Sequence, residues 1–507
     1  MIMKQDDFKY RYIIKMLSSV LIVVINMIVQ MLLPRAFSVE EYGFYTYNLN
    51  VFTAVVTLGN LSFSNALVAK YAKRNDEIGL VNFYLKFYIT IALAINALLM
   101  LLYAVGVLRD TFAGQTLLTI LLGLEVAIVN KLLTDCILIY DACAISRVPA
   151  VGQIVLKVLI SVFVVAGYFL GKLHLLYLYI VQISITLILA CILLWVLITN
   201  QNKKYVKKDL GIRHYWKEYL TFSAPIIPAT FVSQFTVIMM NWALMNWAGV
   251  NEQACFGVAW QLNLLLSYVF NPYAELSKRE FAVIHDQPGA LKDRFEQSLR
   301  LMIWATTYFA IFISFMSKWI LPVVFGETYA DIGLVVIVVM FYTIYQAWGQ
   351  IGGSYMLATE KTKAYAFIST MGQLLTIVFI FLFQMPNAIW KNGLGAVGIG
   401  MNYFCANLIA TTVMVVYICK RFGIPTGVII RMQLHPILLC SVLSFVLLQL
   451  CSVLPIPDMG IMDELLRILL AGVVYTGGLG AYIYCNPKVI GVSKGTLQRM
   501  LRRKKNG

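Results

Sequence analysis

Apolar runs long enough to cross a bilayer fill this chain almost from end to end, and little of it lies outside them. A helix needs roughly 20 consecutive apolar residues to traverse the ~30 Å hydrocarbon core. Bounded by charged or Pro/Gly-rich breaks, about fourteen such runs can be read. In the first half they cover 11–34, 44–69, 83–107, 116–140, 148–170 and 173–199. In the second they cover 219–249, 253–277, 300–325, 331–358, 364–385, 394–419, 434–454 and 461–485. Composition agrees: 60% of residues are hydrophobic, 13% are charged, and the mean hydropathy is +0.79. The expected fold class is an all-α polytopic membrane protein. The runs at 219–249 and 253–277 are long and polar-spotted, so breaks or tilts are expected there.

An even number of spans puts both termini on one side, and Lys and Arg concentrate in cytoplasmic loops. With the N-terminus inside, the inner segments collect Lys4, Lys9, Arg11 and Lys15, then Lys70, Lys73 and Arg74, then Lys203, Lys204, Lys207 and Lys208. They also collect Lys278, Arg279, Lys292 and Arg294, and the tail residues Arg499, Arg502, Arg503, Lys504 and Lys505. The outer segments hold only Arg35, Arg109, Lys172, Lys318, Lys391 and Arg467. The net charge of +16 is therefore placed to meet anionic cytoplasmic lipid and does not indicate nucleic acid. Met1–Lys15 is polar and basic and the run after it is too long for a signal-peptide core, so no cleaved leader is expected. The nine cysteines lie within or at the ends of helices without CxxC spacing and read as packing residues. The four histidines have no ligand spacing, so no metal is expected.

Two internal matches fall at nearly one offset. Val39-Glu40-Glu41-Tyr42-Gly43-Phe44-Tyr45, then Asn48-Leu49-Asn50, answers to Val250-Asn251-Glu252-Gln253-Ala254-Cys255-Phe256-Gly257, then Gln261-Leu262-Asn263. Tyr140-Asp141-Ala142, with Gly152-Gln153-Ile154 beyond it, answers to Tyr355-Met356-Leu357, with Gly372-Gln373-Leu374 beyond it. This pattern predicts a duplicated six-helix unit whose copies are related by a pseudo-two-fold axis along the membrane normal. The expected organisation is an N-lobe over 1–199, a basic cytoplasmic linker over 200–217 and a C-lobe over 218–420. Two further helices and a basic tail follow over 421–507.

The stretch Leu33-Pro34-Arg35-Ala36-Phe37-Ser38-Val39-Glu40-Glu41-Tyr42-Gly43, the pair Leu58-Gly59 and Phe222-Ser223-Ala224-Pro225-Ile226-Ile227-Pro228 carry a family likeness. So do Leu321-Pro322-Val323-Val324-Phe325-Gly326 and the run Gly393–Gly400. In their order and spacing the chain resembles the Wzx-type polysaccharide flippases of the multidrug/oligosaccharidyl-lipid/polysaccharide (MOP) exporter superfamily. The resemblance implies two six-helix lobes, alternating access, and export of an undecaprenyl-diphosphate-linked oligosaccharide across a bacterial inner membrane. Its implied partners are that lipid-linked oligosaccharide, membrane lipids, and polymerase and chain-length proteins of the same pathway. No bound cofactor is expected, and a coupling ion would be H+ or Na+.

Such a substrate needs neutral hydrogen-bonding side chains and a few cations facing water, because unpaired polar groups are costly in hydrocarbon. The first, second, seventh and eighth spans supply candidates for cavity lining: Asn26, Gln30, Asn60, Gln234, Asn241, Asn263 and Asn271. Asn26/Gln30 and Asn263/Ser267/Asn271 repeat at one helical turn and share a face. In the resembled family these four spans border the central cavity. Pro225 and Pro228 are expected to loosen the start of the seventh span.

Charges deeper in the apolar runs are few. Glu125, Lys131 and Asp135 lie in the fourth span and Lys157 in the fifth. A charge at a helix centre costs roughly 2.5–3.5 kcal/mol on insertion scales, so each is a functional candidate by default. Lys131 and Lys157, at similar depth, suit a diphosphate. Arg35, behind Pro34, is a third diphosphate candidate near release. Glu125 and Asp135 are candidates for counter-charge or ion coupling. The competing reading makes Lys131 and Asp135 an i,i+4 ion pair that only fixes helices.

Three rival functions are weighed against the flippase reading. An outer-face enzyme such as a polymerase lacks a sizeable external loop to carry its site, and no phosphate loop for ATP hydrolysis is present. A cation-coupled small-molecule exporter of the same superfamily would need only twelve spans. A lipid II flippase would be expected to show an Arg-rich set in its first, second and eighth spans.

Overall fold

The computed structural model describes residues 8–74, 77–108, 111–112, 114–143, 145–201, 211–387, 389, 393–454 and 460–491. Helix accounts for 87% of the structure, and the described residues contain no strand. Among the described residues, twelve helices are long and apolar enough to cross a membrane, or thirteen when one bent pair is taken as a single span. The eighth expected span is present as a 34-residue helix, but its polar residues keep it off that hydropathy-based count. The chain is a multi-pass membrane protein.

The helices, in chain order, begin with α1 (Phe8–Ala36), α2 (Val39–Gly59), α3 (Phe63–Tyr71), α4 (Ile78–Ala104), α5 (Leu117–Ala142), α6 (Arg147–Phe169) and α7 (Leu175–Gln201). They continue with α8 (Ile212–Ser223), α9 (Ile227–Trp247), α10 (Val250–Val283), α11 (Pro288–Phe325) and α12 (Gly333–Ala358). The last are α13 (Thr362–Phe383), α14 (Gly395–Arg421), α15 (Thr426–Val453) and α16 (Ile461–Cys485), followed by a 3₁₀ turn at Pro487–Ile490.

Local chemistry sets several of these boundaries. Ser38 and Glu41 form a reciprocal capping box that starts α2: the Glu41 amide donates to Ser38 Oγ at 3.1 Å and the Ser38 amide to Glu41 Oε2 at 3.4 Å. The single span expected at 44–69 is broken. Leu61 and Ser62 adopt φ of 50° and 58°, and α2 and α3 meet at 58°. Two successive left-handed residues that are not glycine need outside support. Asn60 supplies part of it by accepting from the Ser64 amide at 3.1 Å, which caps α3.

The seventh span is also interrupted, as Pro225 and Pro228 predict, and separates into α8 and α9. Of the linker expected over 200–217, residues 212–217 form the first turns of α8, while 202–210 lie outside the described residues. α10, where a break was also expected, runs without interruption past Pro272.

Two compact units emerge, Met1–Ala254 and Cys255–Gly507. In the first, α5 packs on α2, α3 and α7, α6 packs on α1 and α7, α9 on α2, and α8 on α3 and α4. The duplication places α9 with the second half by sequence, yet by contact it belongs to the first unit. In the second unit α12 is central, held between α11 and α14, and α15 and α16 pack on α11.

Gly43 shows how tightly α2 approaches the start of α10. A Cβ there would stand 2.3 Å from the Val250 carbonyl oxygen, which is backbone and cannot step aside. Gly43→Ala is therefore expected to cost about 1–3 kcal/mol. Size-exclusion chromatography of a fluorescent fusion should show less monodisperse protein; an unchanged profile and melting temperature would refute the close approach.

α8 is tied to the end of α3 by charge. Glu218 accepts from Lys70 Nζ at 2.9 Å and from Arg74, and Arg74 also reaches Glu77 at 3.2 Å. Burial pushes the Glu218 carboxyl up, but Lys70 and Arg74 outweigh it and hold it below the ordinary glutamate value. A depressed carboxyl contributes its stabilisation fully above its unfolded value, near 4.5, and loses it as the pH falls through the lower folded value. Glu218→Gln should lower the melting temperature at pH 7 and flatten its decline below pH 4.5. An identical acid limb in both proteins would exclude this role.

Candidate functional site

The first unit holds a closed polar network where the α2–α3 break meets α4 and α5. Asp135, 1% exposed in its side chain, accepts from the Lys131 ammonium one turn earlier on α5. Its other oxygen accepts from the Tyr84 hydroxyl of α4, which in turn accepts from Asn60 Nδ2 at 2.7 Å. Lys131 Nζ also reaches Ser64 Oγ at 3.4 Å. Every polar group named here has a partner, the condition under which a buried ion pair is tolerated. The break in the helix and the charge pair thus share one set of hydrogen bonds.

Glu125, two turns before Lys131 on α5, accepts from Asn96 Nδ2 of α4 at 2.9 Å. Lys157 is half-buried on α6, and among the described residues no ion pair or hydrogen bond is found for it. One turn on, Ser161 donates to the Ile25 carbonyl of α1 at 3.5 Å. The depth expected to be common to Lys131 and Lys157 does not become a shared pair: Lys131 turns into the α3–α4–α5 network, while α6 packs on α1 and α7. Arg35 sits half-buried in the last turn of α1.

The amide residues expected to line a cavity divide into three groups. Asn60, Asn241 and Asn263 are only 2%, 3% and 1% exposed, and protein groups hold them. Asn241 Oδ1 accepts from Asn50 Nδ2 at 3.1 Å and from Gln253 Nε2 at 3.0 Å, joining α2, α9 and α10. Asn263 Oδ1 accepts from Thr343 of α12 at 3.0 Å. In these three an amide facing a neighbouring helix finds its partner there. Asn26, Gln30 and Gln234 are half-buried, and Gln30 Oε1 is enclosed without a partner. Asn271 alone of the seven lines a well-formed cavity.

That cavity, of about 520 Å³, lies wholly within the second unit among α10, α12, α13 and α14. Gln346 and Gln350 of α12, Ser369, Gln373 and Thr376 of α13, and Asn407 and Thr411 of α14 face it. Gln350 Nε2 donates to Asn271 Oδ1 at 2.7 Å, and Thr411 to Asn407 Oδ1 at 3.2 Å. Gln346 Oε1, Gln350 Oε1 and Asn407 Nδ2 remain enclosed without partners: two acceptors and one donor. Tyr342 and Tyr403 add an aromatic wall, with rings 5.3 Å apart and backed by Trp260 at 5.4 and 4.8 Å. Lys278 and Glu275 stand at its margin, 3.9 Å apart.

Gly349 makes room for this arrangement. A Cβ there would come 2.8 Å from Thr411 Oγ1, so the glycine lets α12 and α14 meet closely at that level without moving Thr411. Sequence reasoning missed α12 and α14 as walls of a cavity. The signal was present: Gln346 and Gln350 stand one turn apart, the spacing that singled out Asn263 and Asn271.

The architecture and these interiors define a helical, multi-pass membrane protein with an ion-pair network in one unit and a polar cavity in the other. Its fold is that of solved transporters. It is similar to the lipid II flippase MurJ in an inward closed conformation, at 15% identity, over 93% of this chain and 98% of that one, with a TM-score of 0.67. It is similar to a multidrug resistance MATE family transporter of the MOP superfamily in an inward-facing conformation, at 11% identity, over 79% and 94%, with a TM-score of 0.63. A MOP superfamily transporter from Pyrococcus furiosus matches at 12% identity, over 83% and 97%, with a TM-score of 0.55. No family model and no curated protein sequence matches the chain. At these identities the likeness establishes the fold.

Proposed function

We propose that this protein flips an undecaprenyl-diphosphate-linked oligosaccharide repeat unit across the bacterial inner membrane by alternating access, driven by H+ or Na+, for polysaccharide synthesis. Both termini are cytoplasmic in this reading, and it assigns no enzymatic step. The observation that carries it is the neutral, amide- and tyrosine-lined cavity of the second unit. Sugar hydroxyls each donate and accept, and the mixture of enclosed acceptors and donors beside an aromatic wall suits them. An amphipathic drug cation would instead call for carboxylates, and among the described residues the cavity wall carries one, Glu275, already beside Lys278. The diphosphate falls to Lys157, a deep cation that has no ion pair or hydrogen bond among the described residues, with Arg35 nearer release. Lys131 remains a diphosphate candidate only if Asp135 gives it up, and Asp135 and Glu125 are the coupling candidates.

A second reading, transport of lipid II, is favoured by the fold likeness to MurJ over 93% of this chain, against 79% for the multidrug transporter. Purified protein in vesicles, offered each lipid-linked substrate in turn, separates the readings. Movement of an oligosaccharide diphospholipid with little movement of lipid II supports the first, and the reverse overturns it. Lys157→Ala should slow movement about tenfold at normal protein levels, the worth of one charge-assisted contact.

A further inference from the structure

A second cavity, of about 590 Å³, lies in the other half of the same unit, between α11, α15, α16 and the closing 3₁₀ turn. Two arginines line it, Arg300 of α11 and Arg431 of α15, with His435 one turn after Arg431 and Tyr482 of α16 beside them. Among the described residues no carboxylate lines it. Glu296 approaches Arg300 only to 3.7 Å, and Arg431 is exposed. His435 Nε2 and the Tyr482 hydroxyl are 3.0 Å apart, and Trp304 stacks near Tyr482 and meets His435 edge-on. The chemistry is that of an anion site with an aromatic collar.

Its depth can be read from the sequence. Arg300 is the last charge before the apolar run that extends to Lys318, and Arg431 is the last before the run through Val453. Both guanidiniums therefore mark the border of the hydrocarbon, where Tyr and Trp also gather. Beyond Arg431 and His435 the same face of α15 continues with Leu438, Val442 and Phe445, which are 61%, 63% and 52% exposed. A charged pocket thus opens onto an apolar stripe.

We propose that this cavity is a binding site for an anionic glycerophospholipid, its phosphate between Arg300 and Arg431 and its acyl chains along the exposed stripe of α15. Basic pockets between membrane helices suit such headgroups, each cation near the surface adding to the attraction. The site stands apart from the amide cavity and does not depend on what the protein transports. It would hold α15 and α16 against α11 through a lipid.

Native mass spectrometry of the detergent-purified full chain tests it, with phosphatidylglycerol as the probe and phosphatidylcholine as the neutral control. Wild type should retain phosphatidylglycerol saturably and phosphatidylcholine poorly. Arg300→Gln with Arg431→Gln should weaken phosphatidylglycerol binding roughly tenfold to thirtyfold. Arg431→Gln alone, at an exposed position, should weaken it severalfold and guards against a folding artefact in the double variant. Equal retention of the two lipids, or undiminished binding by both variants, overturns the proposal. Displacement of phosphatidylglycerol by equimolar polyprenyl phosphate also overturns it, because the site would then belong to a polyprenyl lipid's path.

Discussion

Asp135→Ala is expected to destabilise the protein by about 3–5 kcal/mol, the cost of leaving a buried charge without its partner. The Lys131 ammonium, with its side chain only 18% exposed, would keep Ser64 alone at 3.4 Å. The Tyr84 hydroxyl would lose its acceptor while still receiving from Asn60. Asn60 also caps α3, so the damage should reach the α2–α3 break with its two left-handed residues. Lys131→Met with Asp135→Leu removes both charges and keeps apolar volume, and should recover most of the loss. Thermal unfolding in detergent, followed by tryptophan fluorescence, reads all three proteins. A single variant as stable as wild type would show that the pair contributes nothing to the fold. A stable double variant that still moves substrate would confine the pair to structure; one that is stable but inactive would give Asp135 a part in transport.

The architecture was legible because hydrocarbon imposes a length and a polarity that no local propensity can override. The span boundaries that failed did so where side chains compensate for a backbone rule. Leu61 and Ser62 carry no break signal, and their turn exists because Asn60, Tyr84 and the α8–α9 region support it. Ser223 donates to the Ser62 carbonyl at 3.3 Å, and Ser62 and Thr230 hydroxyls meet at 3.0 Å. Pro225, by contrast, announces its break in the sequence. For the site, spacing identified polar faces but not what they face. Asn263 and Asn271 are on one helix and two turns apart, yet one is buried against Thr343 and the other opens on the cavity. Periodicity gives a direction around a helix axis, and only packing supplies the neighbour. The same gap separates Lys131 from Lys157, expected at one depth yet different in surroundings.

Replacing the enclosed amides of the cavity should produce opposite changes in stability and transport. Gln346 Oε1 and Asn407 Nδ2 are desolvated without partners, so each costs stability in the empty protein. Gln346→Leu with Asn407→Leu removes both groups while roughly keeping their volume. Thr411, which now donates to Asn407, still has the Tyr345 carbonyl at 3.4 Å. The double variant should therefore melt at a higher temperature, by the equivalent of about 1–3 kcal/mol. If those groups bind substrate hydroxyls, each forfeits about 1–1.5 kcal/mol on replacement. Transport at low substrate should then fall roughly thirtyfold to a hundredfold. A merely structural pair of amides predicts the other pattern, lower stability with activity falling only in proportion to folded protein. Higher stability with full transport would mean that substrate never enters this cavity, and the sugar path would have to be sought elsewhere. Stability spent on unpaired polar groups is what a binding site requires when its partner is absent.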